Sequence, residues 1–134
     1  MSWTGIDDLF AGYEKMMTHA DMAAKQIIAE SGALVIALAQ RNFEGVHKRG
    51  KPHVGGEKPN IVTGYLRRSI RMNPIVKIGR GSYVSQVGPN AVYGRSVELG
   101  RNGSTGHPYF TPAVHSAEQA FGLIRDRAFA QHLR

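Results

Sequence analysis

Residues 66–87 read LRRSIRMNPIVKIGRGSYVSQV, and the period found in this stretch decides the fold. From Leu66 onward apolar and polar side chains alternate. Ile70, Met72, Pro74, Val76 and Ile78 fall on one face, and Arg67, Ser69, Arg71, Asn73 and Lys77 on the other. A period of two is that of a half-buried strand. Pro74 has no N–H to give to a ladder, so it favours a sheet edge or a bulge. Gly79-Arg80-Gly81-Ser82 is turn chemistry, and Tyr83 to Val87 supplies the returning strand of a hairpin. A small antiparallel sheet is the expected centre of the chain.

On both sides of this hairpin the period becomes helical. Ile6, Leu9, Phe10, Tyr13, Met16, Met17, Ala20, Ala23, Ala24, Ile27, Ile28, Leu34 and Leu38 predict one amphipathic helix to about Gly45. Its weak point is Ser31-Gly32, where glycine costs about 1 kcal/mol relative to alanine. A helix of about 40 residues is about 60 Å long, roughly twice the diameter of a small domain. It must therefore bend near Gly32 and fold back, or pack its free part on another subunit. Residues 46–62, containing HKRGKPHVGGEKPN, carry Gly, Pro and Lys without apolar periodicity and predict a mobile basic surface loop. Downstream, Gly88-Pro89-Asn90 reads as a turn, and Ala91 to Leu99 as a short helix stopped by Gly100. RNGSTGH (101–107) reads as a loop. Thr111 caps a last helix with Pro112 at its first position, continued by Ala113, Val114, Ala117, Ala120, Phe121, Ile124 and Ala128. The expectation is an α+β fold in one domain over residues 1–134. A long N-terminal helix (1–45) and a C-terminal helix pack on a small antiparallel sheet, with sheet, short helix and last helix filling 63–134.

A chain of 134 residues suits a single core. It has no cysteine, so disulfides and thiolate metal sites are ruled out. MSWTGIDDLF is acidic where a signal peptide is basic, and the longest apolar run, Ala33 to Ala39, is too short to cross a bilayer. Secretion and membrane insertion are not expected, and Ser2 does not fit N-myristoylation. The net charge of +7 is unevenly spread: residues 1–40 set two lysines against five carboxylates, net −3, whereas residues 41–81 set ten cations against two glutamates, net +8. A positive field of this kind attracts polyanions or an acidic protein surface.

Several chemistries fail on spacing. Gly88 and Gly94-Arg95-Ser96 sit close to a phosphate-loop pattern, but five residues separate the glycines instead of four, Arg95 replaces the lysine, and Pro89 lacks an N–H. His47, His53 and His107 lie in loops, and His19, His115 and His132 are isolated on helices, with no pair at i, i+4. No carboxylate pair or nucleophile motif surrounds any of them, so no catalytic, cofactor or metal site is assigned. Lys48, Arg49, Lys51, Lys58, Arg67, Arg68 and Arg71 form a basic set. Neutralising phosphates is one physical reading of it, and a solvated or protein-docking surface is the other. No aromatic residue is interleaved for base stacking, and no recognition helix is visible.

Three blocks, in order, resemble the tail-completion or neck proteins of long-tailed phages, the gene-product-ten-like minor tail component family. They are Thr63-Gly64-Tyr65-Leu66-Arg67-Arg68-Ser69-Ile70, then Val87-Gly88-Pro89-Asn90-Ala91-Val92-Tyr93 running to Val97-Glu98-Leu99-Gly100, then Pro108-Tyr109-Phe110-Thr111-Pro112-Ala113. They run from residue 63 to residue 113 of the 134; Val62, Leu99 and a longer stretch at 48–60 differ from the usual pattern. The resemblance implies a non-enzymatic structural virion protein, assembled in the host cytoplasm into a ring of six or twelve copies without cofactors. Its neighbours would be the head connector and a tail-terminator or tail-tube protein, with nonspecific contact to genomic DNA in the channel. Thr63, Gly64, Leu66, Ser69, Ile70, Gly88, Tyr93, Val97, Glu98, Gly100, Pro108, Phe110 and Pro112 then act as shape and packing residues, with Gly88 and Gly100 bracketing the short helix, Tyr93 and Val97 inward, and Glu98 available to an arginine. The basic set faces DNA or an acidic ring. A small basic nucleic-acid-binding protein of the cytoplasm is the alternative.

Overall fold

The computed structural model describes residues 4–43, 65–91, 94–100 and 106–133. The fold is α+β: two long helices pack with a small antiparallel sheet. Helix α1 runs from Thr4 to Arg41 without interruption. It ends four residues before the expected Gly45, where Asn42 and Phe43 turn back through N–H bonds to the carbonyls of Leu38, Ala39 and Gln40. Gly32 does not break it. The glycine is a close-approach point, because a Cβ built there would lie 2.5 Å from Sδ of Met72. The sheet thus seats a methionine against bare helix backbone.

The alternating stretch divides into more elements than its period predicts. Leu66 and Ser69 belong to a helical turn, α2 (Tyr65–Ser69), closed by Ser69 Oγ donating to the Leu66 carbonyl at 2.7 Å. Leu66, Ser69 and Ile70 are all buried, and i, i+3, i+4 is helical spacing. Strand β1 (Ile70–Met72) pairs antiparallel with β4 (Val87–Pro89), and β2 (Val76–Gly79) with β3 (Ser82–Val84). The long hairpin is split into two two-stranded sheets around Asn73–Ile75, where Pro74 cannot extend the ladder. Asn73 bridges the gap by donating its N–H to the Gln86 carbonyl.

Crossing this gap reverses the faces. Lys77 and Tyr83, paired in register, turn toward α1, where Lys77 meets Asp21 at 3.3 Å and Lys25 lies over the Tyr83 ring. Val76 and Ile78 are 54% and 67% exposed, opposite to the inward placement expected of them. A change of parity moves every later side chain to the other side. The turn at Gly79–Ser82 stands as expected, with Gly81 at φ 71°.

Gly88 and Pro89 are strand residues of β4, not a turn, so Gly88 does not bracket the short helix. That helix, α3 (Gly94–Leu99), does stop at Gly100, whose φ of 84° is the left-handed geometry of a glycine helix stop. Helix α4 (Thr111–His132) starts one residue earlier than expected, so Thr111 is its first residue and not its cap. Ala113, Ala117, Ile124 and Ala128 form its buried stripe.

Helices α1 and α4 lie antiparallel. Asn42 Nδ2 donates to the Tyr109 carbonyl at 2.9 Å at one end, and Gln26 bonds Gln131 and His132 at the other. Buried alanines (Ala23 and Ala39 on α1; Ala113, Ala117 and Ala128 on α4) leave little side-chain bulk between the backbones. Since α4 ends opposite Gln26, the first twenty or so residues of α1 run past it, a length of about 30 Å. The β2–β3 hairpin reaches only part of this extension, through Arg80 to Glu14 at 2.8 Å and Lys77 to Asp21. By length and composition α1 is also apolar enough to cross a membrane, a property that the short uninterrupted run Ala33–Ala39 conceals.

Candidate functional site

The three sequence blocks meet in one place. Leu66 and Ile70 from the first, Ala91 from the second, and Tyr109 and Ala113 from the third pack with Ala39 and Phe43 in a single buried cluster, flanked by Val87, Val97 and Phe110. Tyr109 is its centre: 1% exposed, with ring centroid 4.9 Å from that of Phe43 and hydroxyl donating to the Gly94 carbonyl at 3.0 Å. Burial and the nearby Glu98 charge push the Tyr109 phenol up to about 12. A Cβ on Gly94 would sit 2.7 Å from the Pro89 ring and 3.0 Å from this hydroxyl, so only glycine admits the close approach of α3 and β4.

Among the described residues the partners of Glu98 are backbone N–H groups and not an arginine. Its Oε2 accepts the N–H groups of Tyr109 (2.7 Å) and Phe110 (2.9 Å), and its Oε1 that of Thr111 (2.9 Å). These are the otherwise unpartnered donors at the start of α4, whose N-cap Phe110 has no side-chain acceptor to offer. A carboxylate from α3 therefore caps α4 from outside, in a position that also suits the helix dipole. Partial burial raises the Glu98 carboxyl, but the N–H bonds outweigh it and hold the group below its ordinary value. Pro108 and Pro112 flank this junction and are half-buried. The motif residues thus build a joint between α3 and α4. Thr63, Gly64 and Tyr93 lie outside the described residues.

The basic set divides in the same way. Lys48, Arg49, Lys51 and Lys58 lie outside the described residues. Arg67 is exposed, but its Nε donates to the Gln40 carbonyl at 3.1 Å, satisfying an acceptor at the end of α1 while Gln40 Nε2 returns a bond to the Arg67 carbonyl. Arg68 and Arg71 share a shallow cleft of about 210 Å³ with Tyr65, Ser69 and Asn90. The fold brings these two arginines together, and two guanidinium groups beside a phenol and an amide suit a carboxylate or phosphate oxygen. The expectation that no aromatic residue is interleaved with the basic set is corrected here: Tyr65 stands between Lys58 and Arg67 in sequence and lines the cleft with Arg68 and Arg71, while Asn90, distant in sequence, gave no such signal.

Among the described residues no cluster of His, Asp or Glu is arranged to hold a metal ion. His132 is not isolated, because its ring contacts Gln26, and His115 stands 3.9 Å from Glu118.

A further exposed feature is apolar. Ile6, Leu9, Phe10, Tyr13 and Met16, at 41–70% exposure, run along one side of the N-terminal extension of α1. Their spacing of three and four residues makes a continuous stripe. Residues before Tyr13 lie beyond both α4 and the hairpin contacts. No protein-family model, curated protein or solved structure matches the chain.

Proposed function

We propose that this chain is a structural, non-enzymatic protein of a long-tailed phage neck, assembling as a ring between the head connector and the tail tube. The observation that carries this reading is the exposed apolar stripe from Ile6 to Met16, in which only Tyr13, beneath Arg80, meets the hairpin among the described residues. A water-exposed stripe of this kind marks a contact surface, and each large side chain removed from water contributes about 1.5–3 kcal/mol to whatever covers it. The order of the three sequence blocks supports the choice of family, and their convergence on one cluster gives them an architectural task independent of catalysis. In such a ring the Arg68–Arg71 cleft faces an acidic neighbour or the DNA backbone.

Two measurements test the reading. Mass spectrometry of purified virions is expected to find the chain in the neck or tail fraction; absence from mature particles overturns it. Light scattering of the isolated protein is expected to show concentration-dependent association. The alternative, a small basic nucleic-acid-binding protein, draws on the paired arginines and predicts monomers or dimers with tight duplex binding.

A further inference from the structure

A second apolar feature lies where the two sheets face the C-terminal half of α1. Ile27, Ile28 and Ser31 of α1, Met72 and Val84 of the sheets, and Phe121 of α4 line an open groove of about 320 Å³. Tyr83 forms one end of it, and two cations stand at that ring, Lys25 at 5.5 Å and Lys77 at 5.9 Å from the centroid. Lys77 is matched by Asp21. Lys25 has no carboxylate partner among the described residues.

We propose that the groove receives the N-terminal extension of α1 from a second copy of this chain, with Ile6, Leu9 and Phe10 entering the groove and Asp7 meeting Lys25. Three observations support the pairing. The stripe presents apolar side chains at i, i+3 and i+4, the pattern by which a helix fills a groove. Residues 4–12 carry Asp7 and Asp8 and no cation, while the groove mouth carries the unmatched Lys25, so the charges are complementary. Finally, the two surfaces cannot meet within one chain. Phe10 and Ile27 sit on the same uninterrupted helix, about 25 Å apart along its axis.

A contact between two different patches of identical subunits is heterologous, and repeating it gives a ring if the rotation closes or a filament if it does not. This inference deepens the ring reading proposed above and rests on it for its biological setting, but its test does not depend on the phage. The cysteine-free sequence makes that test clean. Leu9→Cys and Ser31→Cys variants, each otherwise intact, are mixed and treated with a short bismaleimide. The expected product is a dimer joining the two variants, at higher yield than either variant gives alone. Charge reversal supplies the second arm: Asp7→Lys or Lys25→Asp is expected to weaken self-association about tenfold or more, and the double variant Asp7→Lys/Lys25→Asp to restore it.

Cross-linking of Leu9→Cys only to itself overturns the proposal in favour of stripe-on-stripe packing. Oligomers that persist without the mixed product overturn the groove contact and leave the ring standing. A monomer at all concentrations overturns the self-docking, while detection of the chain in virions then still supports the neck assignment.

Discussion

At the scale of single residues, Glu98 joins one helix to the start of another through three N–H groups. Hydrogen bonds to a charged group are worth about 1.5–3 kcal/mol each when shielded, and less where water reaches the carboxylate, as it does here. Glu98→Ala is therefore expected to destabilise the fold by about 1–2 kcal/mol in urea titrations at pH 7. The pH dependence follows from the lowered carboxyl. Its contribution is complete above the ordinary glutamate value of 4.5 and is lost as pH falls through the folded value. The stability gap between the parent and Glu98→Gln should accordingly narrow from pH 7 to pH 3, and a gap constant across that range refutes the capping role. Tyr109 titrates in the opposite sense. Its phenol is raised to about 12, so the neutral form's contribution is present below the unfolded value near 10 and is lost as pH climbs through 12. Tyr109→Phe is expected to remove the last tyrosine absorbance step at high pH and to cost about 1 kcal/mol for the abandoned Gly94 carbonyl.

At the scale of elements, the helices were the legible part of the sequence, because α1 and α4 each repeat their apolar spacing over many turns. The middle was only half legible. A period-two template placed over residues 66–78 hides the helical spacing of Leu66, Ser69 and Ile70, and it cannot count the parity change at Asn73–Ile75 that turns Val76 and Ile78 outward. Glu98 offered no sequence signal for its partners, which lie 11 to 13 residues downstream across a loop. The two sheets should also differ in durability. The β1–β4 pair contains Ile70 of the buried cluster, whereas β2–β3 meets α1 through the ion pairs at Asp21 and Glu14, the cation–π contacts at Tyr83 and Tyr13, and an open groove that leaves Val84 44% exposed. Exposed ion pairs contribute little, so amides of residues 76–84 are expected to exchange with solvent faster than those of 70–72 and 87–89 in hydrogen-exchange experiments. Equal protection would show that the hairpin is tied down by more than these contacts. Gly94→Ala, in contrast, places a methyl group against the Pro89 ring and is expected to cost about 1–3 kcal/mol by overpacking.

At the scale of the whole molecule, the sequence disclosed an overlong helix and a concentrated positive charge, and among the described residues the charge divides: Lys77 and Arg80 bond the extension of α1 at Asp21 and Glu14, while the Arg68–Arg71 cleft stands apart from it. The exposed apolar stripe lies on the N-terminal extension, while Arg68 and Arg71 lie at the α2–β1 junction near the opposite end of α1, where Arg67 meets Gln40. Self-association and anion contact can therefore be perturbed independently. Salt dependence then distinguishes the two functional readings quantitatively, since the logarithm of a DNA-binding constant falls with the logarithm of salt by about 0.9 for each duplex phosphate neutralised. If all seven residues of the basic set grip a duplex, as a dedicated nucleic-acid-binding protein requires, the slope should approach about −6; contact through the two clustered arginines alone gives about −2. The neck reading predicts the shallow slope, weak affinity, and a further loss of about one unit in Arg71→Gln with no change in oligomer mass. A steep slope with tight binding, or a fall in oligomer mass on removing Arg71, would show that the charged surface and the assembly surface are one, and would transfer the balance to the nucleic-acid-binding alternative.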